Sequence, residues 1–156
     1  YMGGNKVVNG LELGFTGSVM PGLDIFGGYT YMDSEQKDMG IGNIANGQPF
    51  QNTPKHSFSL WSSYKPTAKL TLGLGVYAQS SVNASYILSK VDGGIVTKGT
   101  SGYARYDAMA SYQFTPNMAL HLYNLGNKVY YTGVRSPHYA NIGAGRSAVA
   151  TLKITY

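Results

Sequence analysis

The sequence predicts an all-β fold, a transmembrane antiparallel β-barrel to which this chain contributes about seven strands. Apolar residues alternate with polar ones in short runs, which is the period-two pattern of strands whose two faces meet different surroundings. The connections between the runs alternate between tight turns and long loops rich in Gly, Asn and Ser. Charged residues make up only 12% of the chain, whereas Gly (21) and Tyr (14) are abundant.

Seven runs carry this alternation, and each is near the 9–11 residues with which a tilted strand crosses a bilayer. In chain order, the predicted strands span 7–20, 23–34, 55–64, 69–79, 103–114, 118–124 and 146–156. Tight turns join the first to the second, the third to the fourth and the fifth to the sixth. Long connections lie near 34–54, 79–102 and 125–146. Short periplasmic turns opposite long extracellular loops are typical of an outer-membrane barrel.

Each predicted strand places its apolar residues on one face, which we call the apolar stripe. In the first four strands the stripe contains Leu11, Leu13, Phe15 and Val19; Leu23, Ile25, Tyr29 and Tyr31; Phe58, Leu60 and Tyr64; and Leu70, Leu72, Leu74 and Val76. In the last three it contains Ala104, Tyr106, Ala108, Ala110, Tyr112 and Phe114; Met118, Leu120 and Leu122; and Ala148, Ala150, Leu152, Ile154 and Tyr156. The opposite, polar face carries the charges Glu12, Asp24, Arg105, Asp107 and Lys153.

Two environments explain a stripe without charges: lipid, or the core of a soluble β-sandwich. The positions of the aromatic residues favour lipid. Near the short turns or the chain end, the stripe carries Tyr64, Tyr112, Phe114 and Tyr156, and near the long loops it carries Tyr29, Tyr31 and Tyr106. Aliphatic residues and Gly lie between these two sets. Two aromatic girdles around an aliphatic band are the pattern of a membrane barrel.

Composition excludes several other classes. No window approaches the roughly 18 consecutive apolar residues that a transmembrane helix needs. The absence of Cys excludes disulfides and thiolate metal sites. Basic residues are scattered rather than interleaved with aromatics, so nucleic acid is not an expected partner despite the net charge of +5. The first residues do not resemble a signal peptide, and we expect a mature or trimmed segment.

No catalytic or metal site is predicted. The histidines are widely separated in the sequence, at His56, His121 and His138. His121 and Asp107 share the polar face, but a turn at 115–117 would place His121 opposite about Ser111 and Asp107 opposite about Leu125. They would then lie too far apart for acid–base work. Arg105 and Asp107, two residues apart on one strand, are expected to form an ion pair.

Several segments carry a resemblance to a known family. They are Asn9 to Leu13, Gly27 to Ser34, Asn52 to Trp61, Tyr106 to Tyr112, Tyr123 to Tyr131, and Gly145 with Arg146. In this order and spacing they resemble the C-terminal third of TonB-dependent siderophore receptors, most closely the catecholate type. The ending Ala148-x-Ala150-x-Leu152-x-Ile154-x-Tyr156 resembles the terminal β-signal that the barrel-assembly machinery of outer-membrane proteins reads.

The resemblance implies a bacterial outer-membrane protein that takes up ferric siderophores with energy supplied through TonB. Residues 1–156 would supply barrel wall and extracellular loops of a barrel of about 22 strands, whose plug domain is absent from this chain. Because ferric catecholates are anionic and aromatic, the ligand is expected at a loop that carries Tyr131, Arg135, His138 and Tyr139. Lipopolysaccharide is a further expected partner, and no bound cofactor is expected.

Alternatives remain at this stage. A passive porin-like channel would use the same strands without a plug, and a small barrel enzyme or adhesin would need acid–base residues in register. Glu12 and Lys153 would pair across strands or with a plug. Seven strands also leave two unpaired edges, which hydrocarbon does not tolerate. The edges would be closed by further strands of a parent barrel, by another copy, or by residues 1–9.

Overall fold

The computed structural model describes residues 4–113, 117–136 and 138–154, apart from the side chains of Asn117 and Arg135. Eleven β-strands form in these ranges. In chain order they are β1 (Asn5–Met20), β2 (Leu23–Lys37), β3 (His56–Thr67), β4 (Leu70–Gln79), β5 (Val82–Leu88), β6 (Ile95–Thr100), β7 (Tyr103–Gln113), β8 (Asn117–Tyr123), β9 (Tyr131–Ser136), β10 (Tyr139–Ile142) and β11 (Ser147–Lys153). No helix of the described chain has the length and apolar character needed to cross a membrane.

Seven strands form one antiparallel sheet in the order β1-β2-β3-β4-β7-β8-β11. These are the seven predicted strands, with ends that differ by a few residues, so the predicted all-β class is confirmed. Short turns join β1 to β2 and β3 to β4 at one end of the sheet, which we call the turn end. The long connections leave from the other, loop end.

The register keeps the apolar stripe continuous from strand to strand. Leu72 lies opposite Ala110, Ala110 opposite Leu120, and Leu120 opposite Ala150. The stripe residues are uncovered: the exposed fraction is 56% for Leu74 and 42% for Leu120. The buried apolar residues of the described chain lie elsewhere, in the loop region: Val82, Ala84, Tyr130 and Val134. In the part of the chain that the structure describes, no second layer covers the apolar face, which fits a stripe that faces lipid rather than the core of a soluble sandwich.

The strand lengths range more widely than the 9–11 residues of a typical bilayer-crossing strand. Strands β1 and β2 have 16 and 15 residues and extend beyond a membrane-spanning length. At the other edge of the sheet, β8 and β11 have only 7 residues each. The hydrophobic pattern did not predict the outer part of the first hairpin, because polar residues occupy both of its faces there.

Two further hairpins form inside connections that were predicted only as long loops. Strands β5 and β6 pair in one two-stranded sheet, and β9 and β10 pair in another. Their alternation is weak, since each strand has only 4–7 residues and contacts other loops rather than one uniform solvent. Periodicity therefore did not detect them.

The predicted girdle residues lie where the alternation places them, on the apolar stripe. Near the loop end, the Tyr29 hydroxyl lies 2.8 Å from Nδ1 of His56, and the Tyr31 ring lies 5.4 Å from the same imidazole. Tyr64, Tyr106 and Tyr112 are exposed on the stripe. The two remaining predicted girdle positions, Phe114 and Tyr156, lie outside the described residues.

On the polar face, Trp61 rests on two glycines of the neighbouring strand. A Cβ at Gly73 would lie 2.5 Å from Cζ2 of the indole, and one at Gly75 would lie 2.5 Å from Cε3. Only glycine therefore lets the indole lie this close to the sheet. The ring fills space that two ordinary side chains would otherwise occupy.

We expect the substitution Gly75→Ala to lower the free energy of unfolding of the intact receptor by about 1–3 kcal/mol, because the added methyl overpacks the indole. Thermal unfolding of the purified receptor measures this. Gly14→Ala is the matched control on the same face, since no atom lies within 4 Å of a Cβ at that position. Equal effects of the two substitutions would show that contact with Trp61 is not what the glycine permits.

Candidate functional site

A cleft of about 550 Å³ lies at the loop end of the sheet, between the β5–β6 and β9–β10 hairpins. The β5–β6 wall contributes Ala84, Thr97, Lys98 and Thr100, and the β9–β10 wall contributes Tyr131, Val134, Ser136, His138 and Tyr139. The lining thus combines aromatic rings and hydroxyl groups with one ammonium and one imidazole. Such a mixture suits a ligand that has both anionic and aromatic parts.

The β5–β6 wall is held by the first long loop. The Tyr86 hydroxyl donates to the carbonyl oxygen of Pro49 at 2.6 Å, and Nδ2 of Asn83 donates to the Tyr86 oxygen at 3.1 Å. Burial at this junction raises the pKa of the Tyr86 hydroxyl. The phenol therefore stays protonated and remains a donor.

The base of the β9–β10 wall is fixed by Asn124, whose exposed fraction is only 1%. Its side-chain Nδ2 donates to the carbonyl oxygens of Lys128 and Ala144 at 2.9 and 3.0 Å, and its Oδ1 accepts from the Lys128 N–H at 2.8 Å. Its backbone has a φ of 52°, in the left-handed region that Asn adopts more readily than most residues. Asn124 thus joins both ends of the last long loop.

Asn124 is in turn bonded to the polar face of the sheet. Its backbone N–H donates to Oδ1 of Asp107 at 2.8 Å, and Oδ2 of Asp107 lies 2.9 Å from Nη2 of Arg105. Nη1 of Arg105 donates to the Tyr130 hydroxyl at 3.0 Å, and its guanidinium carbon lies 4.8 Å from the centre of the Tyr77 ring. We call Arg105, Asp107, Asn124 and Tyr130 the loop-base cluster. The predicted ion pair is present, and its role is to anchor the loop that carries one wall of the cleft.

Three of the four residues predicted to contact ligand, Tyr131, His138 and Tyr139, line the cleft. The fourth, Arg135, has its side chain outside the described residues. Sequence reasoning missed the opposite wall, including Lys98. The available signal was a single Lys in a Gly- and Thr-rich segment, which is too weak to distinguish a ligand contact from an ordinary loop residue.

Glu12 lies on β1 and Lys153 on β11, at opposite edges of the sheet with five strands between them. The two therefore do not pair with each other in this sheet, and pairing across other strands or with a plug stays a prediction. One expectation about the polar face is wrong. His121 lies opposite Met109, not Ser111, so the expected register was wrong by two residues. The turn type and loop length set the register of a hairpin, and the hydrophobic pattern allows any even shift.

His121 and Asp107 are therefore nearer along the sheet than expected. Both Asp107 oxygens are nevertheless occupied by Arg105 and Asn124, and the His121 ring stacks 6.2 Å from that of Tyr123. Within the described ranges, no group of three or more His, Cys, Asp or Glu side chains is placed to hold a metal ion.

The fold and site define a class of protein. One antiparallel layer that is apolar on one face and polar on the other, with tight turns at one end and packed loop hairpins at the other, is typical of the wall of an outer-membrane β-barrel. The chain belongs to the TonB-dependent receptor-like β-barrel family, whose pattern matches residues 2–127. This membership confirms the predicted location in the bacterial outer membrane.

Curated relatives agree with this assignment. The chain is 41% identical over 157 residues to the probable TonB-dependent receptor BfrD of Bordetella pertussis, covering 98% of this chain and 21% of that protein. It is 37% identical to the probable TonB-dependent siderophore receptor PiuA of Acinetobacter baumannii, again with 98% and 21% covered. The chain thus spans about a fifth of the length of these relatives.

Solved structures show the same arrangement of strands. The crystal structure of PiuA from Acinetobacter baumannii superposes with a TM-score of 0.80 at 34% identity, over 96% of this chain and 22% of that one. The ferric-catecholate import receptor Fiu of Escherichia coli, in its closed form, superposes with a TM-score of 0.76 at 27% identity, over 96% and 20%.

Proposed function

We propose that this chain forms part of the barrel wall and mouth of a receptor that imports ferric siderophores across the outer membrane with energy supplied through TonB. The observation that carries the proposal is the cleft between the two loop hairpins. It opens at the loop end, where an extracellular ligand would arrive, and it contains Lys98 and His138 beside Tyr131 and Tyr139. The names of the relatives, siderophore receptors among them, support it.

The chemistry of the cleft suits a ferric catecholate. Such a complex carries negative charge on a rim of aromatic rings, so an ammonium attracts it and tyrosine rings stack on it. Arg135 belongs to the same segment and is proposed as a further contact. The proposed contacts are electrostatic attraction and ring stacking, so the proposed role is recognition and transport rather than catalysis.

The remaining parts of such a receptor would come from outside this chain. Residues 1–156 are proposed as the C-terminal part of the barrel, with β1 pairing to preceding strands of the same protein and a plug domain carrying the TonB contact. Glu12, Arg105, Asp107 and Lys153 would then face the lumen. The girdle tyrosines would lie at headgroup level, where lipopolysaccharide is the proposed neighbour. The C-terminal strand is the proposed contact for the assembly machinery.

We expect Lys98→Gln to weaken binding of the ferric chelate of 2,3-dihydroxybenzoate to the intact receptor about fivefold, the effect of losing roughly 1 kcal/mol of attraction to an anion. Equilibrium binding of the radio-iron-labelled chelate to outer-membrane vesicles measures this. Lys90→Gln removes the same charge from the tip of the same hairpin, away from the cleft, and is expected to change affinity little.

Equal losses at both lysines would mean that only overall charge attracts the ligand and that the cleft is not the site. TonB-independent uptake, together with steady ion conductance of the intact protein in a planar bilayer, would instead favour the passive channel.

A further inference from the structure

Asn52, in the first long loop, hydrogen-bonds both walls of the cleft. Its side chain acts as a short piece of strand beside β9: Oδ1 accepts from the Val134 N–H at 2.7 Å, and Nδ2 donates to the Val134 carbonyl oxygen at 2.5 Å. Its own backbone N–H donates to the carbonyl oxygen of Asn83, on β5, at 2.9 Å. One residue therefore connects the two hairpins, although the first long loop does not line the cleft between them.

These bonds matter because the apolar contact between the hairpins is small among the described residues. The apolar contact beneath the cleft consists of three small buried side chains, Val82, Ala84 and Val134. Val134 is only 6% exposed, so its N–H and carbonyl would be left nearly without water if Asn52 did not bond them. A buried backbone group without a partner is costly, and the hairpin would move to expose it to water.

The local backbone explains why this residue is an asparagine. The φ of Asn52 is 54°, in the left-handed region, where Asn and Gly are tolerated better than most residues. Of these two, only Asn also supplies a primary amide, which offers one donor and one acceptor with the spacing of a peptide group. Both requirements, the turn and the pair of bonds to Val134, are thus met at one position.

We propose that Asn52 is a positioning residue that sets the separation of the two cleft walls and thereby the affinity for ligand. The ligand in this inference rests on the proposed function. The structural part, the separation of the walls, rests on the hydrogen bonds alone. Asn52 does not touch the bound molecule; it acts through Val134, whose neighbours along β9 and the following turn include Tyr131 and His138. The first long loop would therefore tune a site to which it contributes no contact.

The test uses the intact receptor and the substitution Asn52→Gly, which keeps the left-handed backbone and removes only the amide. Hydrogen exchange at the Val134 amide is expected to become at least about tenfold faster, while exchange at the Asn124 amide stays unchanged. Affinity for the ferric 2,3-dihydroxybenzoate chelate is expected to fall roughly tenfold, with the amount of receptor in the membrane and its thermal midpoint unaltered.

Asn46→Gly is the matched control, because the hydrogen bonds of the Asn46 side chain to described residues go to Met39 and Gly40 of its own loop. Neither exchange at Val134 nor affinity should change. Asn52→Asp is the conservative variant: its carboxylate still accepts from the Val134 N–H, so protection of that amide should largely return. Asn46→Asp places the same charge on the same loop. Its loss of affinity measures how strongly the added charge repels an anionic chelate, and this loss is subtracted from that of Asn52→Asp.

Unchanged exchange at Val134 in Asn52→Gly would overturn the inference, as would an equal loss of affinity in Asn46→Gly. If the unaltered receptor fails to bind the chelate, the proposed function fails on its own. The structural part of the inference is then decided by exchange at Val134 alone.

Discussion

Replacing Asp107 with Ala is expected to detach the base of the last long loop at a cost of about 3 kcal/mol. Only 5% of the Asp107 side chain is exposed, and the substitution removes the partner of both the Arg105 guanidinium and the Asn124 N–H. Breaking one side of a buried ion pair costs roughly 3–5 kcal/mol, because the remaining charge stays desolvated. The lower end applies here, since Arg105 is 25% exposed and reaches water.

Hydrogen exchange at the Asn124 amide of the intact receptor measures this effect, and the expected acceleration is on the order of a hundredfold. Affinity for the ferric 2,3-dihydroxybenzoate chelate should fall with it, since Tyr131, His138 and Tyr139 lie on the loop that is released. Asp107→Asn should have an intermediate effect, because its amide oxygen still accepts from Asn124 but carries no charge for Arg105.

Asp24→Ala is the control for Asp107→Ala. Asp24 also lies on the polar face, but near the turn end, where it accepts an exposed hydrogen bond from Ser18. An exposed bond of this kind contributes little, so the loop should stay protected. If hydrogen exchange at the Asn124 amide were equally fast in the two variants, the loop-base cluster would not be what holds the last long loop in place.

Replacing Leu120 with Lys is expected to lower the free energy of unfolding from a bilayer by about 2–4 kcal/mol, the cost of a cation near the lipid midplane. Leu120 lies mid-strand in β8, 42% exposed, between Ala110 and Ala150 of the neighbouring strands. Denaturant titration of the intact receptor in phospholipid vesicles, or the yield of folded receptor in the outer membrane, measures the loss.

The adjacent residue provides the control. Ala119 lies on the opposite face of the same strand, between Ser111 and Thr151. Ala119→Lys adds the same charge where water or a plug would receive it, so its effect should be a fraction of that at Leu120. If the two variants fold equally well into vesicles, the stripe does not contact lipid.

The wall of this protein was predictable from sequence because lipid imposes one simple rule on it. Every second residue must be apolar, and the contrast between Leu72 or Leu74 and their neighbours Thr71 or Gly73 is visible without any structure. Exact registers were less predictable, since an even shift leaves the pattern intact. His121 was accordingly placed two residues from its true partner, Met109.

The candidate site was only half predictable for a different physical reason. Aromatic and basic residues concentrated in one loop identified Tyr131, His138 and Tyr139, whereas Lys98 stands alone in its segment. The bond from Asn52 to Val134 joins residues 82 positions apart. The bond forms because two long loops, far apart in the sequence, meet at the same end of the sheet. No local sequence pattern predicts such a contact. The loop-base cluster was predicted in part. The pairing of Arg105 with Asp107 was predicted correctly, but their bonds to the last long loop were not predicted.

The two mouth hairpins do not continue the hydrogen-bond ladder of the wall. Strand β4 ends at Gln79 and β5 begins at Val82, while β6 ends at Thr100 and β7 begins at Tyr103, and β5 and β6 form a separate two-stranded sheet. Insertions or sequence drift in either hairpin would consequently leave the transmembrane ladder intact. Under the proposed function, substitutions in either hairpin would change the lining of the cleft while the paired strands of the wall stay the same.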